Sequence, residues 1–191
     1  MDKKNKLLRY VLTLALMGTV WTSFNSALQA QMAAAPSATS HPSVKAGALD
    51  RAQATAILPA TVYYMGASAP VQGRNSAGIR FDNGKLALVA LVDASGYSSQ
   101  IQQTYQGYLL NETQLKIGDK TLGPGAYGFG FIAGNRMVVM DIAGNEIMHA
   151  TTTRDENLKR PDPLQIIPDA SSPGYYRLYL GRSYITLSAA K

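Results

Sequence analysis

The stretch Tyr175-Tyr176-Arg177-Leu178-Tyr179-Leu180-Gly181-Arg182-Ser183-Tyr184-Ile185-Thr186-Leu187 decides the fold. On either side of Gly181-Arg182 the aliphatic residues recur at every second position, which is the spacing of a half-buried strand. Glycine tolerates the left-handed backbone that a two-residue hairpin loop demands. A turn there pairs Leu180 with Ser183, Tyr179 with Tyr184, Leu178 with Ile185, Arg177 with Thr186 and Tyr176 with Leu187. One face then holds Tyr176, Leu178, Leu180, Ile185 and Leu187. The other holds Tyr175, Arg177, Tyr179, Tyr184 and Thr186. A slip of one residue would exchange the two faces.

The same grammar extends back to Leu58, with short β-branched and aromatic runs between Gly, Asn, Asp and Pro. Asn83-Gly84 predicts a second hairpin that pairs Phe81 with Leu86 and Ile79 with Leu88. Leu86 to Val92 is apolar at every position, so a central strand covered on both faces is expected. Gly134-Asn135 predicts a third hairpin, pairing Phe131 with Val138, Phe129 with Met140 and Tyr127 with Ile142. Its opposite face carries Gly128, Gly130, Val139 and Asp141. Alternating glycines clear that face for another strand, an aromatic ring or a ligand, and structural packing is the expected occupant. Further strands are expected at 61–65, 108–110, 114–117, 146–150 and 164–167. Residues 98–106 form the best helix, capped by Ser98 or Ser99 and closed by Gly107. The expected fold is all-β: a single antiparallel β-sandwich or small β-barrel of eight to eleven strands, with at most one short internal helix.

The N-terminus reads differently. Lys3, Lys4, Lys6 and Arg9 precede an uncharged, mainly apolar run from Tyr10 to Trp21. Twelve helical residues rise about 18 Å, short of a hydrocarbon core of about 30 Å. With Ala27-Leu28-Gln29-Ala30 behind it, this is a signal peptide over residues 1–30, cleaved after Ala30. Cleavage after Ala33 or Ala35 is an alternative. Residues 31–57 are rich in Ala, Ser, Thr, Pro and Gln and read as a flexible spacer, with a helical turn or two possible from Ala46. Residues 58–191 are the single β domain. The expected destination is the periplasm or the exterior, with no transmembrane span in the mature chain.

Several function classes are excluded by composition. The chain has no cysteine, so disulfides, thiol nucleophiles and lipid-modified cysteine are absent. Its +6 net charge is concentrated in the N-terminal segments; residues 58–190 hold eleven basic and ten acidic side chains. Nucleic-acid binding is therefore not expected. His149 is the sole histidine of the domain, so a Ser-His-Asp arrangement would have to use it, and no Gly-x-Ser-x-Gly elbow accompanies it. On a regular strand, Glu146 and His149 would face opposite ways. Asp141, if covered, needs a partner such as Arg80 or Arg136. Asp93-Ala94-Ser95-Gly96 lacks a full calcium pattern and reads as a turn. Residues 154–160 mix both charge signs as a solvated loop. Asn111-Glu112-Thr113 matches a short glycosylation acceptor. No catalytic residue, metal site or cofactor is assigned.

The feature above background is the tyrosine density of the last hairpin. Tyr175, Arg177, Tyr179 and Tyr184 share one face and form the candidate ligand-binding set. Tyrosine rings stack on sugars or peptides, and arginine binds acidic groups. From Ala60 to Leu187 the chain also resembles a family of small exported bacterial proteins with no assigned function. The resembling segments are Ser68-Ala69-Pro70-Val71-Gln72, Leu122-Gly123-Pro124-Gly125-Ala126-Tyr127-Gly128, Lys159-Arg160-Pro161-Asp162-Pro163-Leu164-Gln165 and Tyr176-Arg177-Leu178-Tyr179-Leu180-Gly181-Arg182. The resemblance implies export and a β fold, and implies no active site. The expected function is an exported, non-catalytic binding or interaction module for a glycan, a peptide or an envelope protein. The alternatives are a β-barrel carrier for a small apolar ligand, or a hydrolase using Asp141, Glu146 or His149.

Overall fold

The computed structural model describes residues 45–190; the expected signal peptide, His41 and most of the expected spacer lie outside them. Fourteen strands and two short helices make up the described residues. The chain enters through β1 (Gly47–Leu49) and α1 (Arg51–Ile57), then β2 (Thr61–Tyr64), β3 (Ala67–Arg80) and β4 (Leu86–Val92). Next come α2 (Ser99–Thr104), β5 (Gly107–Asn111), β6 (Leu115–Ile117), β7 (Lys120–Leu122), β8 (Gly125–Ile132) and β9 (Arg136–Met140). It closes with β10 (Glu146–Thr151), β11 (Thr153–Arg154), β12 (Leu164–Pro168), β13 (Tyr176–Leu180) and β14 (Ser183–Ala189).

Two antiparallel sheets result, so the fold is sandwich-like and all-β. Sheet I runs β1-β3-β4-β5-β8-β9-β10, with β2 paired to the start of β3. Sheet II runs β12-β13-β14-β6-β7, with β11 paired to the start of β14. Between them lies one apolar core. Sheet I supplies Ile79, Val89, Leu109, Phe129, Met137 and Val139; sheet II supplies Leu115, Ile117, Leu178, Ile185 and Leu187. A second core covers the other side of sheet I. There Val62, Tyr64, Ala69 and Tyr105 pack on Val92, Tyr108, Val138 and Met140. Strand β4 is thus covered on both faces, as its unbroken apolar run predicts.

The last hairpin has the expected register, from Tyr176↔Leu187 to Leu180↔Ser183. The other two are displaced by one. At the first, Gly84 N–H donates to Phe81 O and Phe81 N–H donates to Lys85 O. The turn therefore absorbs an extra residue, with only Gly84 left-handed (φ 78°). Ile79 pairs with Ala87, not Leu88, and Leu88 lies against Gly78 on the opposite face. At the second, Ala133 joins Gly134 and Asn135 in the loop, so Phe131 pairs with Met137 and Phe129 with Val139. Val138 and Met140 consequently face the second core.

The folded unit also begins earlier than position 58. Asp50 caps α1, accepting from Gln53 N–H, while Gln53 Oε1 accepts from Asp50 N–H. This capping box, with Leu49 and Ala54 buried, ties residues 47–57 to β3. Helix α2 ends at Thr104, and Gly107 opens β5 instead of closing the helix.

Candidate functional site

The period-two alternation of β13 and β14 brings the predicted Tyr/Arg set together on the outer face of sheet II. Arg177 lies opposite Ile167 and Thr186, and Tyr179 lies opposite Gln165 and Tyr184. The Arg177 guanidinium sits 4.8 Å from the centre of the Tyr184 ring, within cation–π range. The Tyr179 and Tyr184 rings are 5.1 Å apart. Tyr175 immediately precedes β13 and is 39% exposed.

Two carboxylates that sequence reasoning missed complete the cluster. Asp169 Oδ1 accepts from Arg177 Nη2 at 3.0 Å and from Ser171 N–H and Oγ–H. The Ser171 contacts first, and the Arg177 charge after them, hold the Asp169 carboxyl below its ordinary range. Asp155 Oδ2 accepts from the Tyr179 hydroxyl at 2.9 Å. Tyr179 is only 3% exposed, so in this conformation its ring supports the face from beneath. Burial pushes its hydroxyl above the ordinary tyrosine range. Asp155 belongs to the charged stretch read as a solvated loop, and nothing in that stretch distinguishes it by spacing. Asp169, followed at two residues by Ser171, does carry the signature of a side-chain-capped turn.

Two donors on this face have no partner among the described residues: Arg177 Nε and Gln165 Nε2, both buried. Each unmet buried donor costs about 1–3 kcal/mol. They sit on neighbouring strands at diagonal positions, since Gln165 faces Tyr179 and Ile167 faces Arg177.

A second constellation corrects an expectation. A bulge between Glu146 and Met148 breaks the alternation of β10. Glu146 Oε1 and His149 Nδ1 therefore meet at 3.1 Å instead of facing apart. With Lys120, Ile147 and Met148 they line an open depression of about 360 Å³. Asp141 takes no part. Its carboxylate accepts from Ala143 N–H, Asn145 N–H and Asn145 Nδ2, and neither Arg80 nor Arg136 is its partner.

Other sequence candidates resolve into structure. Asp93 accepts from Ser95 N–H in a turn. Asn111 is buried and its amide donates to Gly123 O, so the acceptor nitrogen of the glycosylation match is engaged. The face of Gly128 and Gly130 receives packing. A Cβ on Gly128 would meet the Tyr64 ring at 2.8 Å and the Tyr105 ring at 3.0 Å. One on Gly130 would meet Thr104 O at 2.0 Å. No group of three or more His, Asp or Glu side chains fit to hold a metal gathers among the described residues, and no helix among them is long and apolar enough to cross a membrane. In comparison with known proteins, no family model, no curated protein and no solved structure matches the chain.

Proposed function

We propose that the protein is an exported, non-catalytic binding module whose recognition surface is the outer face of the β13–β14 hairpin. One observation carries this reading: Arg177 lies over Tyr184 with its own Nε buried and unpartnered, as is Gln165 Nε2 on the neighbouring strand. A face that leaves donors unmet gains most from a ligand that brings acceptors. Tyr184 and the exposed Tyr175 supply amphipathic contact area around it. The carrier alternative is less well supported, because it asks for one closed sheet around a void, whereas here two separate ladders enclose packed side chains.

The test is a melting-temperature screen of the full chain against glycans, peptides and small acids, since binding to the folded form raises the midpoint. A genuine ligand of this face shifts the wild type and leaves Tyr184→Ala unshifted while that variant stays folded. A ligand whose shift survives both Tyr184→Ala and Arg177→Lys places recognition elsewhere. Export is tested by determining the N-terminus of the processed protein, expected at Gln31. A second reading rests on the Glu146–His149 contact, a carboxylate orienting an imidazole as a general base requires. Ester hydrolysis abolished alike by Glu146→Gln and His149→Asn would favour it over binding.

A further inference from the structure

The outer face of sheet II already holds two carboxylates of its own chain, and they are held very differently. Asp169 is built in. Its side chain is 8% exposed, and it takes three donors from Ser171 and Arg177. Asp155 sits on the segment 153–163, whose residues are half-buried or exposed apart from β11 pairing at its start. Besides the Arg51–Asp162 ion pair at 3.9 Å, four hydrogen bonds fasten that segment beyond β11. Tyr179 Oη–H donates to Asp155, Asp155 N–H to Arg182 O, Arg182 Nη1 to Leu158 O, and Gly181 N–H to Pro163 O. Only the first of these reaches down onto the Tyr/Arg face; the rest grip the hairpin tip.

The same face holds the two donors without acceptors, Arg177 Nε and Gln165 Nε2, with Gln165 directly opposite Tyr179 in the strand register. Asp155 satisfies Tyr179 and, through its other oxygen, Asn157 N–H. It therefore leaves both buried nitrogens unmet. A free carboxylate is not bound by that backbone geometry. It has two oxygens and about four lone-pair directions to distribute.

We infer that this face is a carboxylate-binding site, in which Asp155 of the 153–163 segment occupies the Tyr179 hydroxyl until a small organic acid displaces it and bonds Arg177 Nε and Gln165 Nε2. The inference rests on the binding-module reading and names its ligand class. Asp169 remains in place throughout as the fixed counter-ion that orients Arg177. The displaced segment stays anchored at its two ends, by the β11 pairing and by Gly181 N–H to Pro163 O, so the exchange asks for a local lift of residues 155–160 that releases their contacts with Arg182 and leaves sheet pairing unchanged. Because the competent state has Asp155 released, apparent affinity is reduced by the fraction of molecules in that state.

The experiment follows the Arg177 Nε–H resonance of the ¹⁵N-labelled full chain during titration with sodium acetate, against sodium chloride at equal ionic strength. A saturable shift with acetate alone is expected. Asp155→Ala, which removes the internal competitor, tightens the apparent affinity by about tenfold. Gln165→Leu, which removes one donor and keeps the volume, weakens it. Galacturonate in place of acetate separates the sources: tighter binding than acetate assigns a sugar acid, and equal binding assigns the carboxylate group by itself. No saturable shift in either the wild type or folded Asp155→Ala overturns the inference. If the ligand screen instead yields a neutral glycan that depends on Tyr184, the binding-module reading stands and the carboxylate assignment falls.

Discussion

Replacing Gly130 by alanine is the sharpest test of why β8 alternates glycine with aromatic residues. The added methyl would stand 2.0 Å from Thr104 O, a backbone atom at the end of α2. An ordinary C···O approach is about 3.3 Å, so helix or strand must retreat by more than about 1 Å. No rotamer change relieves this, because both partners are main chain. The retreat pulls on Gln106, whose backbone N–H donates to Phe129 O and whose side chain makes two further bonds to β8, to Phe131 O and from Phe131 N–H. Overpacking costs about 1–3 kcal/mol, and losing two of those bonds adds about 1 kcal/mol each. The sum is about 3–5 kcal/mol, which for a domain of this size lowers Tm by about 10–15 °C. Calorimetry of Gly130→Ala measures it. Gly84→Ala is the internal control: its Cβ meets nothing within 4 Å, and only the positive φ is penalised, by about 1 kcal/mol. Equal, small losses at both positions would refute the packing account. Loss of ligand binding by Gly130→Ala with Tm unchanged would move the recognition surface to the glycine face.

Tyr105 is fully buried, its hydroxyl has no partner, and burial raises its pKa above the ordinary tyrosine range. Tyr105→Phe is therefore expected to leave Tm unchanged or raise it. An alkaline absorbance titration of the wild type should show this hydroxyl still protonated when the exposed tyrosines have ionised. Asp93, Asp141 and Asp169 are held below their ordinary value, chiefly by the side chains of Ser95, Asn145 and Ser171 respectively. Their ionised forms thus favour the fold above the unfolded value of about 4, and this stabilisation is lost as pH falls through the lower folded values. Melting curves from pH 7 to pH 2 should decline below about pH 4, and Asp141→Asn should make the decline shallower. Tyr179→Phe should cost about 1 kcal/mol for its lost hydroxyl contact, whereas Tyr179→Ala should cost about 3–5 kcal/mol for its buried ring; denaturant unfolding of both variants distinguishes a supporting ring from a surface one.

The last hairpin was fully legible because every cue in it agreed: the Gly181 turn, the aliphatic positions and the two-residue loop all specify one register. The two other hairpins were misregistered by one for a physical reason. Asn83-Gly84 and Gly134-Asn135 suit several loop lengths, and Leu86-Ala87-Leu88-Val89 is apolar at every position, so its pattern cannot choose a face. Only the two-sided burial of sheet I resolves the choice, and that is a tertiary fact. The Glu146–His149 meeting was illegible for a similar reason, since a bulge is invisible to a strict period of two. The candidate site was half legible. Arg177, Tyr179 and Tyr184 follow from strand alternation, but Asp155, Gln165 and Asp169 reach them from segments 8 to 24 residues away in the chain or on a neighbouring strand.

The proposed location of the site also agrees with how each sheet disposes of its outer face. Sheet I spends its face on packing: β2, the start of β3 and α2 lie across it, and Gly128 and Gly130 open the space that Tyr64, Tyr105 and the Thr104 carbonyl fill. The unpartnered polar group in that layer, the Tyr105 hydroxyl, belongs to a side chain with no exposed surface. Sheet II has no such layer. Its outward positions are Lys116, Gln165, Arg177, Thr186 and Ser188, among which the tyrosines supply the aromatic surface. A chain that only needed to fold would satisfy such a face with water or leave it to short side chains. Here arginine is instead fixed by a buried carboxylate and stacked on a ring while its Nε is left without an acceptor. Orienting a guanidinium costs side-chain entropy, and that ordering lowers what a later ligand must spend to bind it. Preorganisation with an unmet donor is the arrangement expected of a recognition site, and it occurs on the sheet whose outer face carries no second apolar core, only the polar 153–163 segment held through Asp155.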